Sequence, residues 1–365
     1  MTPVATMPRG PAAGETTPPA AAVEFHFTQT ESFVAVLAEL RASLLVSTYQ
    51  ANKLLAVRAA GAGLSILVRT FDRPMGVAVD GPRLALGTRN QVWEFRNAPD
   101  IAPRIEPAGH HDGCYLPRSC HVTGDIGVHE LAWAGDELWA VNTRFSCLCT
   151  LHPDYSFVPR WRPPFISALA AEDRCHLNGL AVVDNEPRFV TALGATDARD
   201  GWRADKPHGG CVMDVPSGDF LTRGLCMPHS PRWHDDRLWL LESGTGQLVL
   251  VDPATGRREG VAEMPGFARG LAFSGPYVFV GLSKIRKTSA MDGVPLADRR
   301  EQLKCGVAVV DLRGGRVVAF LEFQTAVEEI FDVQLLPGLR FPEVIGFQQE
   351  AIRHTFVIPP AFPDA

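Results

Sequence analysis

Three histidines and an arginine, far apart in the chain, stand at the start of short strands in a recurring pattern. VHELAWAGDELWAV, from Val128, sets His129 ahead of an apolar strand, a Gly135-Asp136 turn and a second strand, the outline of a hairpin. PHSPRWHDDRLWLL, from Pro228, sets His229 at the same point. In HLNGLAVV, Asn178 holds that point and His176 lies two residues earlier, on the same strand face. Imidazoles gathered from such positions would hold one metal ion. Three protein ligands and an open position make a catalytic zinc site, where the metal acidifies water or polarises an oxygen. The expected ligands are His129, His176 and His229 and the expected ion is zinc, with calcium or manganese as alternatives. Glu329 would be a fourth ligand, would orient a histidine, or would act as acid/base. Arg269 suits a substrate carboxylate or phosphate.

The residues share a position only if the chain repeats. Five segments align on x-G-L-A-apolar, a turn, then L-apolar-apolar, starting at Met75, His129, Asn178, His229 and Arg269. Their spacing of about 40 to 60 residues is that of a four-stranded propeller blade. Two fragments complete the set. LLVSTYQANKLLAVRAAGAGLSILVRTF, near the N-terminus, supplies second, third and fourth strands without a first. EIFDVQLLPG, near the C-terminus, supplies a first strand without a blade. Pairing them closes a ring and removes its open edges. The expectation is an all-β protein, one six-bladed β-propeller over 24–350, with a Pro/Ala-rich disordered tail over 1–23 and a C-terminal tail over 351–365.

First strands line the channel of such a ring, so the aligned column predicts Met75, His129, Asn178, His229, Arg269 and Glu329 around its mouth. Core filling alone would put Val, Ile or Ala there. The long loops are expected on the same face, and long loops gathered on one face of a rigid scaffold usually carry function. The segment PAGHHDGCYLPRSCHVTGDIG would bring Tyr115 for proton transfer, Arg118 for anion binding and the polar pair His111 and Asp112. GATDARDGWRADKPHGG would wall the pocket with Trp202 and Arg203, and SKIRKTSAMDG would draw in an anionic ligand through Lys284 and Arg286. Asn178, His111, Asp112, Trp202, Arg203 and Lys284 are thus the expected substrate contacts.

Composition removes several classes. A net charge of -6 without Lys or Arg runs argues against nucleic-acid binding. No apolar run is long enough to span a membrane. The eight cysteines form no CxxC, and with no signal peptide visible the expectation is reduced thiols and a cytoplasmic location. No GxSxG, P-loop or GxGxxG after a strand occurs, which weakens the serine-hydrolase, kinase and dinucleotide readings.

The segments HHDGCYLPRSCHVTGDIGVHELAW, WRPPFISALAAEDRCHLNGLA, MPHSPRWHDDRLWLLESGTGQL, PGFARGLAF and EEIFDV resemble an uncharacterised bacterial family of propeller-like proteins, a conserved domain of unknown function. That resemblance implies a shared fold and no activity. MPHSPRW and VHELAW are also similar to blade starts of the peptidyl-α-hydroxyglycine lyases, propellers that hold zinc with three histidines. There Asn178 takes the third place and His176 lies two residues early. Asn178 and Glu329 look similar to the Glu, Asn and Asp ring of the gluconolactonase-type propellers, which binds a divalent ion. Together these imply a metal-dependent lyase or hydrolase acting on a small polar or carboxylated substrate or a peptide. The alternative is a non-catalytic propeller that binds a peptide or protein through its loop-rich face.

Overall fold

A computed structural model describes residues 25–285, 291–346 and 349–358. The tail over 1–23, Arg286 and the end of the C-terminal tail lie outside them. The described strands form six sheets, each built on four antiparallel strands, arranged as a six-bladed β-propeller. The closure joins both chain ends. Asp332–Pro337 pairs antiparallel with Ala42–Thr48, in register from Ala42 opposite Pro337 to Ser47 opposite Asp332. Lys53–Ala60 and Gly63–Thr70 complete that blade. The five full blades begin at Val77–Asp80, Val128–Ala134, Leu177–Val183, Pro228–His234 and Phe267–Ser274.

What holds the ring is apolar packing between neighbouring sheets. The strands alternate, and the inward sets merge into clusters at each blade boundary, such as Ala85 and Val92 with Val128, Ala140 and Cys147 between the first and second full blades. The closing seam is the largest of these, with Leu44, Val46, Leu55, Val307, Leu321 and Val333 fully buried. The Gly in the repeat has a steric reason. A Cβ on Gly76 would meet Glu130 Cα at 2.9 Å, and one on Gly270 (φ +83°) would meet Val333 N at 2.6 Å. Neighbouring first strands approach too closely for any side chain there.

Three elements went unread in the sequence. A helix, Glu31–Glu39, is capped by Thr30, whose side chain accepts from the Phe33 amide. It buries Phe33, Val36 and Leu37 on the closing seam. Phe27–Gln29 extends the last sheet, and Pro342–Val344 pairs parallel with 113–115 outside the first full blade. Both cover what would otherwise be outer edges. The described cysteines are all free thiols, and none of the described helices is long and apolar enough to cross a membrane.

One loop assignment is corrected. Gly113–Val122 is not a loop before His129; it is the fourth strand of its blade, ten residues long, with a register shift beside Pro117. The proline and cysteines had masked the strand pattern, and a bulge admits a proline that cannot donate. The irregular segment is instead 98–112, between third and fourth strands, on the face opposite the channel mouth.

Candidate functional site

Connections between second and third strands, and between successive blades, meet at one end of the channel. They enclose a cavity of about 260 Å³ whose walls include His129, His176, His229, Arg269, Trp202 and Tyr49. The rest of its lining is apolar in Met75, Leu193, Met227, Phe267, Met291 and Phe331, and charged in Arg73, Arg89, Arg144 and Asp125. A second hollow of about 300 Å³ adjoins it, and His129 and His176 line both. The three histidines, Arg269 and Met75 of the repeat alignment and Trp202 of the loop after it therefore line one cavity.

The tautomer of each imidazole follows from its neighbours. Thr143 Oγ1 has one proton, which it gives to the Leu177 carbonyl at 2.6 Å. Its contact with His129 Nδ1 at 2.8 Å must then be an N–H donated by the ring, which also reaches the Gly127 carbonyl. Ser243 Oγ likewise donates to the Ala268 carbonyl at 2.6 Å and accepts from His229 Nδ1 at 2.9 Å. His176 Nδ1 faces the Asp173 carboxylate at 2.8 Å, and Asp173 also accepts from Trp202 Nε1 at 3.1 Å. All three rings thus commit Nδ1 to an oxygen and keep Nε2, which has no hydrogen-bond partner among the described residues, as a lone pair. Burial, then Coulombic repulsion from His176 and Arg269, holds His129 well below the usual histidine range; burial and Arg269 do the same to His229.

Arg269 is 8% exposed, with its guanidinium carbon 3.5 Å from the centre of the Phe331 ring. It makes no side-chain hydrogen bond and no ion pair among the described residues. Burial pushes it down to about 10, against the pull of Tyr49, Glu329, Asp332 and Glu130, so it stays cationic at neutral pH. His129 stacks edge-on to His176, ring centres 4.7 Å apart, and against Phe331 at 5.2 Å. Trp202 covers the other side of His176 at 4.4 Å.

Below the cavity the channel is filled. Arg232 grips Glu130 through both terminal nitrogens, at 2.9 and 3.0 Å, donates from Nε to the Leu271 carbonyl, and lies 3.6 Å from Asp332. Burial raises Glu130 to about 8 despite that guanidinium, and raises Asp332 as well.

Other expected site residues lie elsewhere. Tyr115 sits in the core between blades, its hydroxyl donating to the Gly81 carbonyl, and burial raises it to about 12. His111 is buried against the Phe341 carbonyl, and Asp112 accepts the Arg340 and Phe341 amides, so this pair pins the C-terminal segment. Arg118 is on the outer strand and, among the described residues, its side chain donates to the Pro117 carbonyl alone. These four follow from the misread strand. Asn178 is buried behind the wall, its Oδ1 accepting from Thr191 at 2.7 Å. Arg203 lies over the Trp202 ring and pairs with Asp200, and neither it nor Lys284 lines the cavity. Glu329 is fully buried outside the lining, because the closing strand begins at Asp332 and presents Phe331 to the cavity. Among the described residues no group of three or more His, Cys, Asp or Glu is arranged to hold a metal ion.

Tyr49, Asp173, Thr143 and Ser243 were missed. The two hydroxyls had a signal: each lies 14 residues after its histidine, and Ser283 lies 14 after Arg269. Asp173 had none, since it belongs to an irregular loop. Asp173 and His176 both hold positive φ, 46° and 50°.

A family model described as "Domain of unknown function (DUF4915)" matches residues 31–345. No curated protein matches the chain. Among solved structures, a chain of a nidogen/laminin complex is similar at 12% identity and TM-score 0.53, over 81% of this chain and 99% of that one. A protein of unknown function from Bacteroides caccae is similar at 9% identity and TM-score 0.50, over 81% and 98%. At such identities the likeness is one of fold.

Proposed function

Since the chain belongs to this DUF4915 family, whose description assigns no activity, we propose from its own geometry an enzyme, a lyase or hydrolase, acting on a small carboxylated molecule in the channel-mouth cavity. The observation that carries this reading is a carboxylate-oriented imidazole, His176 on Asp173, facing the same cavity as a buried guanidinium that has no hydrogen-bond or ion-pair partner among the described residues. Arg269 binds the substrate carboxylate, where a charged hydrogen bond in a water-poor site is strong. His176 takes a proton at Nε2, from the substrate or from a water, while Asp173 steadies the imidazolium that forms. Trp202 holds both in place.

The test is consumption of a panel of small hydroxy acids and carboxylated esters by the wild-type protein, His176→Gln and Asp173→Asn. Turnover by the wild type, lost in His176→Gln and lowered on the order of a hundredfold or more in Asp173→Asn, supports the reading. Undiminished turnover in His176→Gln would sink it.

The Nδ1 commitments favour a second reading, a divalent ion such as zinc at the Nε2 atoms of His129, His176 and His229, because metal-binding imidazoles fix their other nitrogen in this way. The rings as placed form no metal group, so the proton-transfer role of His176 is derived without one. Elemental analysis after exposure to zinc, manganese or calcium, against a His129→Ala/His229→Ala variant, decides it. One ion per chain, lost in the variant, supports the metal; no uptake refutes it.

A further inference from the structure

Resting on that reading, we propose that the ligand is a 2-hydroxy carboxylate with an apolar side chain. Three features of the cavity ask for the three parts of that molecule. Arg269 offers only donors, so it wants an anion. His129, His176 and His229 offer lone pairs at Nε2, so they want a donor; a fully ionised phosphate, sulfate or simple carboxylate has none to give. Buried acceptors left without a donor cost binding energy, which is how such sites reject analogues lacking one polar group.

Spacing sets the donor next to the carboxylate. Arg269 and His129 both line this cavity and both stand against the Phe331 ring, at 3.5 and 5.2 Å from its centre, which puts them within reach of one short molecule. The donor is a hydroxyl rather than an ammonium, because an ammonium would add a further cation to a lining that already carries Arg269, Arg73, Arg89 and Arg144. The side chain follows from the rest of the wall. Met227, Met291 and Phe267 belong to one apolar cluster with adaptable thioethers, which suits an aliphatic or aromatic group of several carbons.

Calorimetric titration of the wild-type protein and Arg269→Met tests the assignment with four probes: 2-hydroxy-4-methylpentanoate, 4-methylpentanoate, leucine and glycolate. The expected result is tightest binding of the hydroxy acid. Loss of the hydroxyl, its replacement by ammonium, or loss of the side chain should each weaken binding by roughly tenfold or more. Arg269→Met should weaken the hydroxy acid to a comparable or greater degree. If another probe binds as tightly while Arg269→Met still weakens it, the substrate class is overturned and the carboxylate-binding cavity stands. If no probe binds the wild type at millimolar concentration, or Arg269→Met changes nothing, the cavity reading falls with it.

Discussion

Replacing Thr143 by valine keeps the shape of the side chain and removes one oxygen. That oxygen joins two blades and fixes an imidazole at once: it donates to the Leu177 carbonyl of the next blade and accepts the Nδ1 proton of His129. Thr143 is 3% exposed and Leu177 is fully buried, so water does not replace either bond. A buried polar group deprived of its partner costs about 1–3 kcal/mol. The ring N–H keeps the Gly127 carbonyl at 3.2 Å, so its share lies at the low end. The sum expected for Thr143→Val is about 2–4 kcal/mol. Thr143→Ser restores the oxygen and should lose less than about 1 kcal/mol. Urea unfolding at neutral pH measures the loss. Nitrogen-15 spectra of the labelled histidines measure the tautomer, with His129 protonated at Nδ1 in the wild type and in the serine variant. A valine variant as stable as the wild type would refute the clasp. A wild-type His129 protonated at Nε2 instead would refute the assignment of the free lone pair, and with it the donor required of the ligand.

The pH dependence of stability carries a sign that follows from the same rings. His229 is held neutral well below 6.5 by burial and Arg269, with His176 adding to the effect. The stability this contributes is complete above the unfolded value of 6.5 and is lost as pH falls below it, by about 1.4 kcal/mol per unit. Glu130, raised from 4.5 to about 8, has the opposite slope across that range, so the wild-type curve alone mixes the two. The difference between wild type and His229→Gln isolates the ring: it should shrink by about 1.4 kcal/mol per unit below pH 6.5, and parallel curves would contradict the burial argument. Arg232→Met should lose about 3–5 kcal/mol, because it leaves Glu130 and Asp332 buried without their shared cation. Thermal unfolding of that variant at the wild-type temperature would show the ion cluster to be dispensable.

The ring of strands was legible because its signal recurs. One hairpin pattern is weak, but five copies and two complementary fragments fix the blade count and the closure, and the same alignment brought His129, His229, Arg269 and Met75 to one mouth. The alignment failed where side chains leave the repeat. Asn178 occupies the column and yet turns to Thr191, while His176 enters the cavity from a residue with positive φ that no strand period describes. Gly113–Val122 reads as a loop because the strand carries a proline at a bulge and presents polar residues on an outer edge. That single misreading displaced Tyr115, Arg118, His111 and Asp112. The hydroxyl column was readable in Ser47, Thr143, Ser243 and Ser283. Its meaning was not, because an inter-blade hydrogen bond links residues that the sequence sets 25 to 47 positions apart.

The filled channel explains how a guanidinium can be buried and still be available. A cation with no partner in an apolar wall would lose its proton or its place. Arg269 avoids both because carboxylates lie near enough to stabilise its charge but do not take its N–H groups: Glu130 and Asp332 are occupied by Arg232 and by the Val77 and Val333 amides. Glu329 adds to the same field from outside the cavity lining. Arg232 also lines a separate hollow of about 440 Å³, with Asp80, Arg83 and Asp136 of the turns at the opposite mouth. A ligand entering at the His129 end therefore meets a positive charge already compensated at a distance and hydrogen-bond donors not yet spent. An anion arriving there takes up the fork without breaking an ion pair, so its binding needs no rearrangement of the carboxylates beneath.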